Sequence, residues 1–190
     1  IIYEADILEK LKNINAYVQL AYNIFDDGSD ENSVVTLSNN PMVADKNKAV
    51  SFSALTLYYH LQYVANAFGG NPSAGLGAIS SLIEEFENRP HLIKENPDSY
   101  VTALNNKMGA LLHMRRPVNE AIEMLNKIRA VPDTYGLKTD NYTVKIFMKT
   151  YNVELELYRD TKDWKKGGLL IKEVQSFLQN NLKYIADSYL

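Results

Sequence analysis

The sequence predicts an all-α chain built from repeated pairs of helices. Three observations carry this expectation. Apolar residues recur at helical spacing along nearly the whole chain, and no segment sustains a period of two. Short Gly, Pro, Asn and Asp clusters separate the apolar stretches at regular intervals. A single offset of 46 residues brings three of the resulting helical pairs into register.

The first helix is expected from about Tyr3 to Phe25, carrying Ile7, Leu8, Leu11, Ile14, Val18, Ala21 and Ile24, and the acidic run Asp26 to Glu31 stops it. A short helix around Asn32 to Asn39 precedes Pro41, so residues 1–45 form an atypical N-terminal pair. The next helix spans about Lys48 to Phe68. It bears two apolar stripes, one through Phe52, Leu55, Tyr59, Tyr63 and Ala67 and one through Leu57, Leu61, Val64 and Phe68, which imply neighbours on two sides. Gly69 and Gly70 make a turn, Asn71 caps the following helix with Pro72 at its first position, and that helix ends near Asn88. A loop from Arg89 to Pro97 leads to Asp98 or Ser99 as the next cap and a helix to about Met114. Arg115 to Pro117 turns the chain into a helix ending near Val131. After Pro132 to Asp140, a helix covers about Tyr142 to Arg159, a turn follows over Asp160 to Asp163, and the last helix starts at Trp164. The three clear pairs are residues 48–88, 98–131 and 141–181, within one domain over residues 1–190.

The 46-residue offset aligns Gly75, Ala121 and Gly167 in the second helices, then Ile79, Leu125 and Ile171, then Leu82, Ile128 and Val174. A small residue followed by apolar ones four and seven positions on is one helical face, and the small position lets a partner helix approach closely. In the first helices the same offset aligns Tyr59, Asn105 and Tyr151, then Tyr63, Gly109 and Leu155, then Asn66, Leu112 and Tyr158.

These residues carry a resemblance to the tetratricopeptide repeat family. Leu104 to Leu112 followed by Asn119, Glu120, Ala121 and Ile122 looks like its motif, as does Leu157 to Trp164 followed by Gly167, with Tyr158 at the helix-A tyrosine position and Trp164 at the turn aromatic. The resemblance covers roughly residues 51–178. It departs from the family in its period, which is usually about 34 residues, in Asn105 at a normally apolar position, and in glycine at two of the three small positions. It implies a right-handed α-α superhelix, a TPR-like solenoid of about three clear pairs plus the atypical N-terminal pair. In such a stack each pair buries the face its neighbour leaves open.

The resemblance also assigns an inner wall to the first helix of each pair. That wall comprises Leu57, His60, Val64 and Ala67, then Ala103, Asn106, Ala110 and His113, then Lys149, Asn152, Glu156 and Arg159, each set a stripe at i, i+3, i+7 and i+10. The candidate peptide-contacting residues are His60, Asn106, His113, Lys149, Asn152, Glu156 and Arg159. Lys149 and Arg159 would receive an acidic group of an extended or helical peptide. The clamp by which some family members hold a chaperone's C-terminal carboxylate is not matched, since His60 and Val64 stand where it needs lysine and asparagine.

Catalytic chemistry finds no pattern. There is no cysteine, and His60, His91 and His113 have no metal-ligand spacing, so no metal and no cofactor is expected. Asp26 to Glu31 is not a calcium loop, because Gly28 comes third and Leu37 twelfth. Glu84, Glu85 and Glu87 read as an exposed face, and Gly69-Gly70 and Gly167-Gly168 lack phosphate-loop patterns. Asn141-Tyr142-Thr143 matches a glycosylation sequon and is assigned no role. A net charge of −3 with interspersed signs disfavours nucleic acid, and no apolar run reaches the about 18 to 20 residues of a membrane span. A cytoplasmic location is expected. Because the sequence opens on Ile1 rather than methionine, it is expected to be a fragment of a longer chain, with room for an upstream signal peptide, tag or further domain.

The expected function is therefore a non-catalytic interaction or scaffold module that holds a protein or peptide. The alternative is a sensor domain that binds a small peptide or metabolite and signals to an effector domain outside this chain. Phe177, Leu178, Leu182, Ile185 and Tyr189 continue an apolar stripe toward the last residue, which suggests folding back as a cap or self-association.

Overall fold

A serine and an asparagine cap the first two long helices. The computed structural model describes residues 35, 38, 39, 41, 44–49, 51–136 and 140–186, so the expected helix over 3–25, the acidic run over 26–31 and most of the N-terminal pair lie outside the described residues. The chain divides between Glu85 and Phe86 into two compact units.

In the first unit, a 3-10 turn over Lys46–Lys48 replaces the expected helical start at Lys48, with Asp45 capping it. Helix α1 (Phe52–Phe68) begins instead after Ser51, whose Oγ accepts from the Ala54 backbone N–H at 3.1 Å. Helix α2 (Pro72–Glu87) begins as expected: Asn71 Oδ1 accepts from Ala74 N–H at 3.2 Å, and Pro72 occupies the first position, where no donor is needed. The two helices meet at Gly75. A Cβ there would lie 2.9 Å from the Tyr63 carbonyl oxygen and 3.4 Å from the Ala67 nitrogen, so only glycine permits the approach. Tyr59, Leu61 and Val64 of α1 and Ile79, Leu82 and Ile83 of α2 are buried.

The second unit continues with a helix the sequence pattern did not predict. Helix α3 (Pro90–Glu95) lies inside the expected loop; it is under two turns long, too short for periodicity to register, opened by Pro90 and pinned by buried Ile93. Helix α4 (Pro97–His113) takes Asn96 as its N-cap, with no side-chain capping bond. The expected caps Asp98 and Ser99 fall inside its first turn, because Pro97 serves as the first helical residue.

Helix α5 (Val118–Tyr135) runs one turn beyond its expected end near Val131 and ends on left-handed Gly136. Pro132 sits inside it, near enough to the end that only one intrahelical bond is forfeited. Asp140 caps helix α6 (Asn141–Asp160) by accepting from Thr143 N–H at 2.8 Å. Asp163 caps helix α7 (Trp164–Asn180) by accepting from Lys166 N–H at 3.1 Å. Helix α8 (Leu182–Ala186) follows a break at Asn181 and folds back to pack against α6 and α7. Ile185's side chain and Tyr189 fall outside the described residues.

Helix α4 packs against both α5 and α6, α5 also meets α6, and α6 packs against α7. The first helices α4 and α6 thus adjoin, each with its own second helix. Val101, Leu104, Met108, Leu111, Ile128 and Leu157 are at most 1% exposed and form the centre. All described elements are helical, with no strand among them.

The turn joining the two helices of a pair is the same turn three times. Asn71 N–H bonds the Asn66 carbonyl at 2.8 Å, Arg116 N–H bonds Leu111 at 2.9 Å, and Asp163 N–H bonds Tyr158 at 2.9 Å. The residue just before each donor is left-handed: Gly70 at φ 76°, Arg115 at 53° and Lys162 at 57°. This six-to-one closure satisfies carbonyls the helix leaves open. It also corrects the first-helix alignment. Asn66 and Tyr158 correspond to Leu111 rather than Leu112, because Pro117 adds one residue to the middle turn. The apolar position taken by Tyr59 and Tyr151 is therefore Leu104, and Asn105 is not a departure from the pattern.

Candidate functional site

Helix α6 divides cleanly into a buried and an open side. Thr143, Val144, Ile146, Thr150, Tyr151, Glu154 and Leu157 are buried, whereas Lys149, Asn152, Glu156 and Arg159 are all exposed. The last four are the stripe expected from the sequence, one continuous open face over about 15 Å of helix at 1.5 Å per residue. Helix α4 contributes Asn106 to its edge: Lys149 Nζ donates to Asn106 Oδ1 at 2.7 Å. Two of the candidate residues, from neighbouring first helices, are thereby brought into direct contact.

The surroundings of that contact are polar and ordered. One residue along α4, Asn105 is 1% exposed and donates through Nδ2 to Thr150 Oγ1 at 2.9 Å, while the Thr150 hydroxyl donates to the Ile146 carbonyl at 3.1 Å. Thr150 spends its proton on Ile146 and can only accept from Asn105, which fixes the amide orientation. Asn105 Oδ1 has no hydrogen-bond partner among the described residues. Lys149 keeps contact with solvent, yet protein packed around its ammonium disfavours the charged form and lowers its pKa from the usual lysine value. The site thus offers an ammonium whose charged form is disfavoured, beside an amide.

Other candidates are placed differently. Arg159 stands at the far end of the stripe, its Nε donating to Asp160 at 2.9 Å. His113 is exposed at the end of α4, and Ala110 is half-buried. Ala103, expected on the wall, is fully buried, and Val64 is 3% exposed in the first unit. Both belong to the core, because the one-residue shift in the middle turn and the two-sided burial of the first helices move the open face away from them. His60 is half-buried in the first unit.

A second polar cluster was not foreseen. Glu154 is 2% exposed and receives Arg129 Nη2 on both oxygens, at 3.0 and 2.8 Å, together with the Tyr158 hydroxyl at 2.8 Å. Arg129 also reaches Glu173 Oε1 at 3.3 Å, which accepts from the Tyr151 hydroxyl at 3.3 Å. Three helices, α5, α6 and α7, are joined by these five side chains. Burial first, and then the adjoining carboxylates, push both tyrosines up to about 12. Only the spacing of Tyr151, Glu154 and Tyr158 along α6 is visible in the sequence; Arg129 and Glu173 come from other helices. A smaller cluster joins Glu87 to Tyr100 and Lys127, each bond 2.8 Å.

Among the described residues no group of three or more His, Asp or Glu side chains is placed to hold a metal ion, and no helix is long and apolar enough to cross a membrane. No family model matches this chain, and no curated protein or solved structure matches it.

Proposed function

We propose that this chain is a TPR-like helical-repeat module that holds a protein or peptide segment along the open face of α6, without catalysing a reaction. The contact between Lys149 and Asn106 carries the reading. Burial opposes the charge on Lys149, so a carboxylate arriving there gains more than it would from a fully hydrated lysine. Asn152 and Glu156, exposed on the adjoining turns, supply hydrogen-bonding groups for a main chain laid along the helix. The strong interhelical ion pair, Arg129 with Glu154, is committed to packing, which favours holding over chemistry.

Selection from a random peptide library tests this. Selected peptides should carry Asp or Glu at a fixed position, and Lys149→Met with Asn152→Ala should weaken them at least about tenfold, or 1.4 kcal/mol. Peptides that bind the double variant equally well would discard the site.

A further inference from the structure

A different face of the second unit points to a second contact surface. On α7, Trp164 is 70% exposed and Ile171 is 50% exposed, and with Gly168 and Gln175, also exposed, they follow i, i+4, i+7 and i+11, one stripe. Glycine between the two large side chains leaves a notch. Large apolar side chains exposed in a line, rather than singly, mark a contact surface.

The same register on α5 is covered in its later turns. Forty-six positions earlier stand Leu125, Ile128 and Arg129, in place of Ile171, Val174 and Gln175. Leu125 is 5% exposed and Ile128 0%, and Arg129 reaches across to Glu154 of α6, which packs on α5. The later turns of this face of α5 are thus buried between neighbouring helices, one of which presents a carboxylate, whereas Val118 and Ile122, at the positions of Trp164 and Gly168, are 39% and 41% exposed. The corresponding face of α7 is open over its first two turns, since the five residues of α8 follow the opposite end of α7. Where α5 carries neutral Asn119 and Asn126, α7 carries Lys165 and Lys172. Both lysines are exposed along one edge of the stripe and make no ion pair among the described residues.

We propose that the Trp164–Ile171 face of α7 docks an amphipathic helix of a partner protein, one with an apolar ridge flanked by acidic residues that complement Lys165 and Lys172. The notch at Gly168 receives a large ridge side chain, and Lys165 and Lys172 face the flanking carboxylates. This surface is separate from the α6 face and stands or falls independently of it.

Trp164 is the only tryptophan in the chain, so its emission reads this face directly. The full chain is titrated with a monomeric synthetic helix of about 20 residues, roughly 30 Å long, bearing a leucine ridge and glutamate flanks. A saturable blue shift is expected. Lys165→Glu with Lys172→Glu should weaken binding about tenfold or more, Ile171→Asp should abolish the shift, added salt should weaken it, and Lys149→Met should leave it unchanged. Circular dichroism confirms that each variant remains helical; Lys172→Gln provides a milder change should a reversal unfold the chain. Three results overturn the proposal. A helix with lysine flanks binding equally would reduce the face to unspecific stickiness. A blue shift on raising protein concentration alone, with dimer mass in light scattering, would make a second copy the occupant. A shift with phosphatidylcholine and phosphatidylserine vesicles but not with peptide would make it a lipid surface.

Discussion

Glu154 and Lys149 stand five residues apart on one helix, and the protein treats their charges in opposite ways. Glu154, on the buried side of α6, is surrounded by donors: both oxygens receive Arg129 and one also receives Tyr158. Lys149, on the open side, meets an amide oxygen and is pushed toward its neutral form by burial. A buried charge that is well compensated organises packing, and one whose charged form remains disfavoured is poised to gain from a ligand. The contrast separates the part of α6 that holds the unit together from the part that faces solvent.

Removing compensation from Glu154 should break the contrast most visibly. Arg129→Met leaves a carboxylate 2% exposed without its cation and should cost about 3 kcal/mol, the lower end for a broken buried pair because the Arg129 side chain is itself 42% exposed. At roughly 2–4 °C per kcal/mol for a chain of this size, Tm should fall by roughly 6–12 °C in calorimetry. Adding Glu154→Gln, which removes the orphaned charge but can still accept from Tyr158, should recover most of the loss. No recovery would show that Arg129 acts through its packing rather than through the pair.

Alkaline titration sharpens the same contrast. Tyr151 and Tyr158 hold their protons up to about 12 in the folded state, whereas an unfolded tyrosine releases its proton near about 10. Their stabilising contribution is thus intact below about pH 10 and is lost as pH rises toward 12. Tyr158→Phe should flatten that alkaline loss in urea midpoints measured across pH, and an unchanged profile would remove the tyrosine from the network's energetics.

Lys149 should behave in the reverse sense and by less. Lys149→Met alters an exposed side chain and should change stability by less than about 1 kcal/mol, while weakening acidic-peptide binding. A clear destabilisation would instead make the contact with Asn106 structural. The smallest effect is on pH dependence. With a folded pKa below its unfolded value of about 10.4, Lys149 binds fewer protons in the folded state, so its penalty fades as pH rises through that interval. The variant should show a shallower rise in stability just below pH 10.4 than the unaltered chain.

Much of this arrangement is written in the residues, and the misses have physical causes. The second helices keep their spacing because Gly75 and Ala121 must lie against partner helices, and a small buried residue tolerates no slip. The first helices do slip, by the one residue that Pro117 adds to the middle turn, which a fixed offset does not detect. That slip is why Ala103 was expected on the wall and lies in the core. The open stripe of α6 was legible because polar residues at helical spacing need no partner to define them. The Arg129, Glu154 and Glu173 cluster was not, since its members are drawn from three helices and no local period connects them. Helix α3 and the extension of α5 past Pro132 were missed for a simpler reason: under two turns of helix is too little pattern to read.

The three left-handed turn residues differ in a way that bears on how the chain tolerates change. Gly70 takes its conformation without steric cost, whereas Arg115 and Lys162 accept roughly 1–2 kcal/mol of backbone strain. Each of those two places a cation just past a helix end, where the helix dipole's negative pole attracts it by about 0.3–1 kcal/mol. Exchanging either for glycine would relax the backbone and forfeit the attraction, for a net change of about 0–2 kcal/mol in favour of glycine. The pair turn is thus a position where sequence can drift between neutral and cationic without moving the fold. Charge at each of these turns is accordingly a property that can be changed by substitution while the helices it joins stay in place.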